Sequence, residues 1–144
     1  MKPYYQEPIA TLYNGQVMTV SQDLPADSVQ CVVTSPPYWG LRKYDGEQNY
    51  VWGDWEGAYG LEPTVELYVA HTVEILQAIK RVLRPDGIVW WNIGDSYASG
   101  FSTSDNKYKA MIGAEPSMVL ETGIPAKNLC LIPFRVALAA QADG

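Results

Sequence analysis

Residues 29–38 read VQCVVTSPPY, an apolar run that leads directly into a serine and two prolines. A short valine-rich run is typical of a buried strand in an α/β sheet, and ligands of such sheets bind beyond the carboxyl ends of the strands. Pro36 holds Ser35 in an extended conformation, and neither proline has a backbone N–H group. The sequence therefore predicts a stiff strand exit that presents the Ser35 hydroxyl, carbonyl acceptors and the ring of Tyr38. Such a site suits a planar group that carries an amino group, as a nucleobase does.

The segment Thr34 to Tyr38 resembles motif IV of the DNA amino-methyltransferases, in which Asp, Asn or Ser precedes Pro-Pro-Tyr. Alone this would be a weak signal, because proline pairs usually mark loops. Further segments are similar to bacterial and phage members of the family and follow in the family's order, namely residues 38–44, 81–87, 91–97 and 132–135. Together these segments cover most of residues 10–144, and the ordered set makes the resemblance specific.

The resemblance implies both a fold and a reaction. The fold is α/β, with a three-layer, Rossmann-like methyltransferase sheet. The reaction is site-specific transfer of a methyl group from S-adenosylmethionine to the exocyclic amino group of a base flipped out of double-stranded DNA. The catalytic residues would be Ser35, Pro36, Pro37 and Tyr38: the Ser35 hydroxyl and Pro36 carbonyl accept hydrogen bonds, and Tyr38 stacks. Serine at the first motif position is commoner in members that methylate N4 of cytosine, so we favour that base, with N6 of adenine as the alternative.

Two further sets of site residues follow. Thr34, Asn92 and Asp95 are the expected cofactor-binding residues, since a second strand over Ile88 to Ile93, parallel to the first, would end on the same rim as Ser35. The alternative for Asp95 is that it only caps a turn. The basic pair Arg42 and Lys43 comes just after the motif and is the expected DNA contact, although a solvated surface is the other interpretation of both side chains.

Composition limits the possible partners. The net charge of −6 opposes DNA binding in general, because phosphate contacts need Lys and Arg. Cys31 and Cys130 have no metal-ligand spacing, and Cys31 within a strand is expected to be a small buried apolar residue, so we predict neither a metal site nor a disulfide. No apolar run of 18 residues and no signal peptide is present, which favours a cytoplasmic bacterial or phage-encoded protein without a membrane partner.

The rest of the chain predicts alternating elements. A strand is expected near Ala10 to Leu12 and helices after Gly15 and over Leu131 to Ala140. The clearest helix is Thr64 to Leu83, whose apolar side chains recur every three or four residues.

Three features of these segments bear on function. His71 lies on the clearest helix, where we expect no acid or cysteine partner nearby, so we interpret it as structural. The aromatic-rich stretch Gly40 to Gly60 is either an ordered loop packed by its own rings or a mobile lid over a flipped base or the cofactor. Ser99 to Pro125 reads as a long surface loop, where DNA contacts are plausible in this family, and Lys107 and Lys109 lie within it.

Two family features are absent from the sequence. Only 33 residues precede Thr34, and none of the 144 supplies the Phe-x-Gly-x-Gly type turn that holds the cofactor or a target-recognition region. Residues 1–144 are therefore expected to be the catalytic-motif part of a methyltransferase domain with an incomplete sheet. Such a chain would be a truncated product, half of a split pair, or a part that needs a second polypeptide or a missing carboxyl-terminal half. A non-catalytic interaction module and a methyltransferase of RNA or protein amides are the other hypotheses.

Overall fold

The computed structural model describes residues 1–41, 44, 49–98 and 123–144. Arg42, Lys43 and most of the loop predicted over Ser99 to Pro125 lie outside these residues. The described chain is mixed α/β, and its elements in order are β1 (Tyr5–Glu7), β2 (Ala10–Leu12), α1 (Val17–Asp23), β3 (Val29–Thr34), β4 (Asn49–Trp52), β5 (Trp55–Ala58), α2 (Val65–Val82), β6 (Leu83–Trp91) and α3 (Ile132–Asp143). None of the described helices is long and apolar enough to cross a membrane.

The chain divides into two compact units. The first contains residues 1–34 and 74–91, and its centre is the pair of strands β3 and β6. These strands are parallel, as the sequence predicts, and end together, because Thr34 and Trp91 are register partners. The guanidinium group of Arg81 donates hydrogen bonds to the carbonyls of Ser21 and Leu24, which ties α1 to the end of α2.

One face of this parallel pair contradicts the prediction of a buried strand. Val33, Ile88 and Trp90 are 77%, 58% and 64% exposed, and Cys31 is exposed on the same face. The face is open because alternate residues of a strand point the same way and no described element covers them. The described sheets have two strands each, so a three-layer Rossmann-like sheet stays a prediction.

The second unit contains residues 35–73 and 92–144. Its hairpin β4–β5 turns at Gly53, which has a φ of 57°, and brings Trp52 opposite Trp55. Such two-residue turns need positive φ angles, which glycine adopts without strain. The stretch predicted as a loop is therefore partly a sheet. Its rings do pack in an ordered core, whose buried residues include Trp39, Trp52, Val65, Tyr68, His71 and Ile132.

Candidate active site

The motif predicted as catalytic passes from the surface into the core of the second unit. Ser35 is exposed, Pro36, Pro37 and Tyr38 are half-buried, and the next residue, Trp39, is buried. The Ser35 hydroxyl donates to the Tyr38 phenol oxygen over 3.5 Å. A hydroxyl group has two lone pairs besides its one hydrogen, so this contact leaves Ser35 able to accept hydrogen bonds.

The main-chain carbonyls of the motif differ in how they are engaged. The Pro37 carbonyl accepts a hydrogen bond from the Tyr68 hydroxyl at 3.0 Å, and the Tyr38 carbonyl accepts one from the Leu41 N–H at 3.3 Å. The Trp39 carbonyl accepts one from the Ser96 hydroxyl at 3.2 Å. Among the described residues, none donates to the Pro36 carbonyl. Within the described part of the chain, the Pro36 carbonyl is thus an unoccupied acceptor next to the exposed Ser35 in sequence.

The loop after β6 packs directly against the motif ring. A Cβ atom on Gly94 would lie 2.8 Å from both Cδ2 and Cε2 of Tyr38, closer than real Cβ contacts allow. The contact is therefore available only to glycine, and the backbone at Gly94 supports one edge of the ring. In this way the structure brings Tyr38 together with the segment that contains Asn92 and Asp95.

Asp95 caps backbone N–H groups. Its Oδ1 atom accepts hydrogen bonds from the Ser96 N–H at 2.8 Å and from the Ile132 N–H at 3.1 Å. Leu131, which precedes α3, has a φ of 58° and provides no side-chain cap, so Asp95 satisfies the first N–H of that helix from a distant loop. This geometry matches the capping interpretation of Asp95, and it leaves the second carboxylate oxygen without a described partner.

The other expected cofactor residues have different surroundings. Asn92 is exposed, and its side chain makes no hydrogen bond to any described residue. Thr34 ends β3 in the first unit, where it is paired with Trp91. The indole N–H of Trp91 is buried without a hydrogen-bond partner in the described part of the chain. Arg42 and Lys43, the expected DNA contacts, lie outside the described residues.

A buried acid next to the motif was not predicted. Glu62 has no exposed surface, and its Oε2 atom accepts a hydrogen bond from the Gly60 N–H at 2.9 Å. Its Oε1 atom lies 3.0 Å from Nδ1 of His71, so the interpretation that His71 lacks an acid partner was wrong. The His71 ring stacks on two indoles, with centroid distances of 4.5 Å to Trp52 and 5.3 Å to Trp55.

Burial also decides the protonation of this pair. It raises the pKa of Glu62 to about 7, because a charged carboxylate is disfavoured away from water. The same cause lowers the pKa of His71. Periodicity could not reveal the pair, since Glu62 precedes α2 and lies nine residues from His71. The only sequence signal is an acid placed between Leu61 and Pro63 at the start of an apolar helix.

Three hydroxyl groups continue the buried network. Thr72 donates to the Tyr68 carbonyl at 2.7 Å, so Tyr59 donates to the Thr72 oxygen at 2.6 Å. The Tyr59 and Tyr68 rings stack with centroids 4.9 Å apart. Burial raises the pKa of Tyr59 to about 12 and also raises the pKa of Tyr68, so both phenols keep their protons at neutral pH. Tyr68 is therefore a permanent donor to the Pro37 carbonyl.

The described residues contain no group of three His, Cys, Asp or Glu side chains that could hold a metal ion. Both cysteines are free, with Cys130 buried and Cys31 exposed, so the prediction that Cys31 is buried was wrong.

Comparison with known proteins gives a consistent family. A family model described as DNA methylase, covering N6 and N4 methyltransferases, matches residues 29–144. The type II methyltransferase M.XycI of Xanthomonas campestris pv. cyanopsidis is 40% identical over 141 residues, which cover 94% of this chain and 43% of the relative. M.Cfr9I of Citrobacter freundii is 41% identical over 138 residues with the same coverage, and M.SmaI of Serratia marcescens is 37% identical over 135 residues. The chain thus spans less than half the length of these curated relatives. No solved structure matches the chain.

Proposed function

The chain belongs to the DNA methylase family of amino-methyltransferases, and from that premise we propose that it carries the catalytic motif of an S-adenosylmethionine-dependent DNA methyltransferase. The substrate is the exocyclic amino group of a base flipped out of double-stranded DNA. The single observation that carries this proposal is the pair of acceptors at the motif: the exposed Ser35 hydroxyl and the Pro36 carbonyl, to which no described residue donates.

These two acceptors address the main chemical difficulty of the reaction. The lone pair of an exocyclic amino group is delocalised into the ring, which makes the nitrogen a poor nucleophile. Hydrogen bonds from its two hydrogens to Ser35 and Pro36 favour a pyramidal nitrogen with a localised lone pair. Because the prolines and the engaged carbonyls of residues 37–39 fix the backbone beforehand, little reorganisation accompanies the reaction.

Tyr38 is proposed to hold the flipped base. Extruding a base costs a few kcal/mol, and stacking on an aromatic ring contributes about 1–3 kcal/mol per base. The backbone at Gly94 supports the edge of the Tyr38 ring, so the ring is placed before the base arrives. Arg42 and Lys43 follow closely in sequence and are proposed to contact the DNA phosphates.

The polar groups near the motif suit a cofactor with amino, hydroxyl and carboxylate groups. The exposed Asn92 side chain offers both donors and an acceptor, and Asp95 has one carboxylate oxygen without a described partner. We propose these two residues, with Thr34, as the part of the cofactor site present in this chain. When bound, S-adenosylmethionine supplies an electrophilic methyl group on a sulfonium centre.

Two finer points complete the proposal. Ser35 at the first motif position favours N4 of cytosine over N6 of adenine. Since the chain spans 43% of its first relatives, we propose that the remaining functions, the glycine-rich cofactor turn and target recognition, come from a carboxyl-terminal part or a second polypeptide in the same bacterial or phage-infected cytoplasm.

The test is nucleoside mass spectrometry of DNA from a methylation-free bacterial host. The host expresses the chain alone, or with the part of M.Cfr9I that this chain does not match. N4-methylcytosine in either culture, and its loss in Ser35→Ala, is the expected result. N6-methyladenine instead would support the reaction and reverse the choice of base. Soluble protein with no methylated base in either culture would contradict the proposal.

A further inference from the structure

We propose that Glu62 is a positioning residue for the Ser35–Tyr38 motif, whose buried carboxyl group fixes the turn against which the motif is anchored. The inference deepens the proposed function and rests on it for its catalytic consequence. The described hydrogen bonds of Glu62 go to Gly60, His71 and Trp39 and not to Ser35, Pro36 or Tyr38, so it would act through the backbone that it holds.

The first step is the hydrogen bonds between the turn and the motif. The Gly60 N–H donates to Glu62 Oε2, which closes the turn of residues 60–62. From that closed turn, the Gly60 carbonyl accepts a hydrogen bond from the Gly40 N–H at 2.8 Å. The Glu62 carbonyl accepts one from the Trp39 indole N–H at 2.9 Å. Both residues after Tyr38 are therefore tied to a turn that depends on Glu62.

The second step is direct packing of the turn on the prolines. Gly60 has a φ of 93°, and a Cβ atom there would lie 2.9 Å from the Pro37 Cβ and 3.3 Å from the Tyr38 carbonyl oxygen. The turn backbone thus approaches the motif too closely for any side chain to intervene. Because packed groups transmit displacement, a change in the turn would move Pro37 and, through the peptide bond, the Pro36 carbonyl.

The third step is the fixation of Glu62 itself. Its Oε1 atom is hydrogen-bonded to Nδ1 of His71, and the imidazole stacks on the rings of Trp52 and Trp55. Both partners are buried, at 0% and 2% exposure, so neither carboxyl oxygen has competition from water. Since burial raises the Glu62 pKa to about 7, the side chain is mostly a neutral carboxyl group below that pH, where a neutral amide mimics it closely. Glutamine can accept from Gly60 and donate to His71, whereas alanine can do neither.

The decisive measurement is hydrogen exchange by NMR on three variants: Glu62→Ala, Glu62→Gln and, as a matched control, Glu74→Ala at an exposed position of α2. In Glu62→Ala, we expect protection of the Gly60 and Gly40 amides and of the Trp39 indole to fall at least tenfold relative to Ile75 in the helix. Glu62→Gln and Glu74→Ala should keep wild-type protection. Unchanged protection in a folded Glu62→Ala would overturn the inference.

Steady-state kinetics test the catalytic consequence, with whichever preparation methylates DNA. Glu62→Ala should lower kcat about 10- to 100-fold and leave KM for DNA within twofold, because a displaced acceptor affects the reacting nitrogen rather than the DNA contacts. Glu62→Gln should restore kcat to within threefold. A merely structural role would reduce the folded fraction without changing kcat per folded molecule, and that result would refute the positioning role.

Two safeguards keep the outcomes separate. If wild-type protein methylates no DNA, the proposed function fails, while the exchange experiment still decides whether Glu62 holds the motif. If Glu62→Ala does not fold, native-state hydrogen exchange of the wild type tests the inference instead. Equal protection is then expected for the three N–H groups of the turn and motif, because they would open together: the Gly60 amide, the Gly40 amide and the Trp39 indole. Unequal protection from independent opening would reject the inference.

Discussion

The phenol of Tyr68 donates a hydrogen bond to the main-chain carbonyl of Pro37 at 3.0 Å, so a helix side chain holds the second proline of the motif. Tyr68 has no exposed surface and its pKa is raised by burial, which keeps the hydroxyl group protonated. The contact occupies the carbonyl next to that of Pro36, to which no described residue donates. The motif is therefore held from the core side, while the Ser35 side chain is exposed.

Removing this hydroxyl group tests the arrangement. Tyr68→Phe should lower the free energy of unfolding by about 1–3 kcal/mol, because the part-buried Pro37 carbonyl loses its partner, and should lower kcat about tenfold. Denaturant unfolding and methyl-transfer assays measure the two effects. The matched control is Tyr59→Phe, which also removes a buried hydroxyl, the donor to Thr72, but no contact with the motif. Equal losses of kcat in both variants would contradict a specific role for Tyr68.

Ser35 should matter for activity and not for stability. It is exposed and its described side-chain hydrogen bond is a 3.5 Å contact with Tyr38, so Ser35→Ala should change the free energy of unfolding by less than about 0.5 kcal/mol. Loss of one of the two acceptors should lower methyl transfer at least about 100-fold. Ser28→Ala, at the exposed start of β3, is the control and should keep wild-type activity. A fully active Ser35→Ala protein would remove this residue from the mechanism.

Gly94 should be intolerant of a methyl group. In Gly94→Ala the new Cβ would meet the Tyr38 ring at 2.8 Å, so the ring must move and stacking on the base should weaken. We expect kcat/KM for DNA to fall about tenfold. Gly53→Ala is the control, since its φ of 57° strains the hairpin but no atom lies within 4 Å of the new Cβ. That variant should lose about 1–2 kcal/mol of stability and no activity. The reverse pattern would show that Gly94 does not support the ring.

Local sequence signals predicted the strand before the motif and the longest helix well. The strand predicted before the motif is β3, which ends at Thr34 as expected. The helix expected over Thr64 to Leu83 is α2, Val65–Val82, because a proline suits the first turn of a helix at Pro63 and cannot continue one at Pro85. The hairpin β4–β5 was missed, since Gly53 between aromatic residues does not produce a clear two-residue alternation. A sequence pattern predicts strands and turn residues, but it does not predict which aromatic rings those residues pack against.

Pairings across the fold were the least predictable features of the site. Glu62 and His71 meet because the turn before α2 folds back on the helix, and no local pattern encodes that distance. The exposure of Cys31 likewise depends on which elements cover its face of β3, and no described element covers that face. The family, in contrast, could be recognised from the sequence, because the residue types that carry the resemblance lie together in short segments.

The two thiols should therefore react differently. Cys31 is exposed, whereas Cys130 has no exposed surface and a pKa raised chiefly by burial. A cysteine thiol reacts only when its sulfur is accessible and can ionise to the thiolate. A disulfide reagent should therefore label one thiol rapidly in the native protein. Peptide mapping should identify it as Cys31, and the second should react only with denaturant. Labelling of Cys130 first would contradict the burial of that side chain.

The pH dependence of stability should report the buried carboxyl group. The pKa of Glu62 is raised from 4.5 to about 7 in the folded protein, so between these values the folded state keeps a proton that the unfolded state has lost. The stabilising contribution of the neutral carboxyl is full below pH 4.5 and is lost as the pH rises to about 7.

Unfolding experiments on the wild type and Glu62→Gln compare a carboxyl group that titrates in this window with an amide that does not. The wild type should lose stability relative to Glu62→Gln over that window, by at most about 1.4 kcal/mol per pH unit, and the difference should be constant above it. A difference that is independent of pH, or one that grows in favour of the wild type, would mean that Glu62 is not the buried, proton-retaining acid that holds the turn.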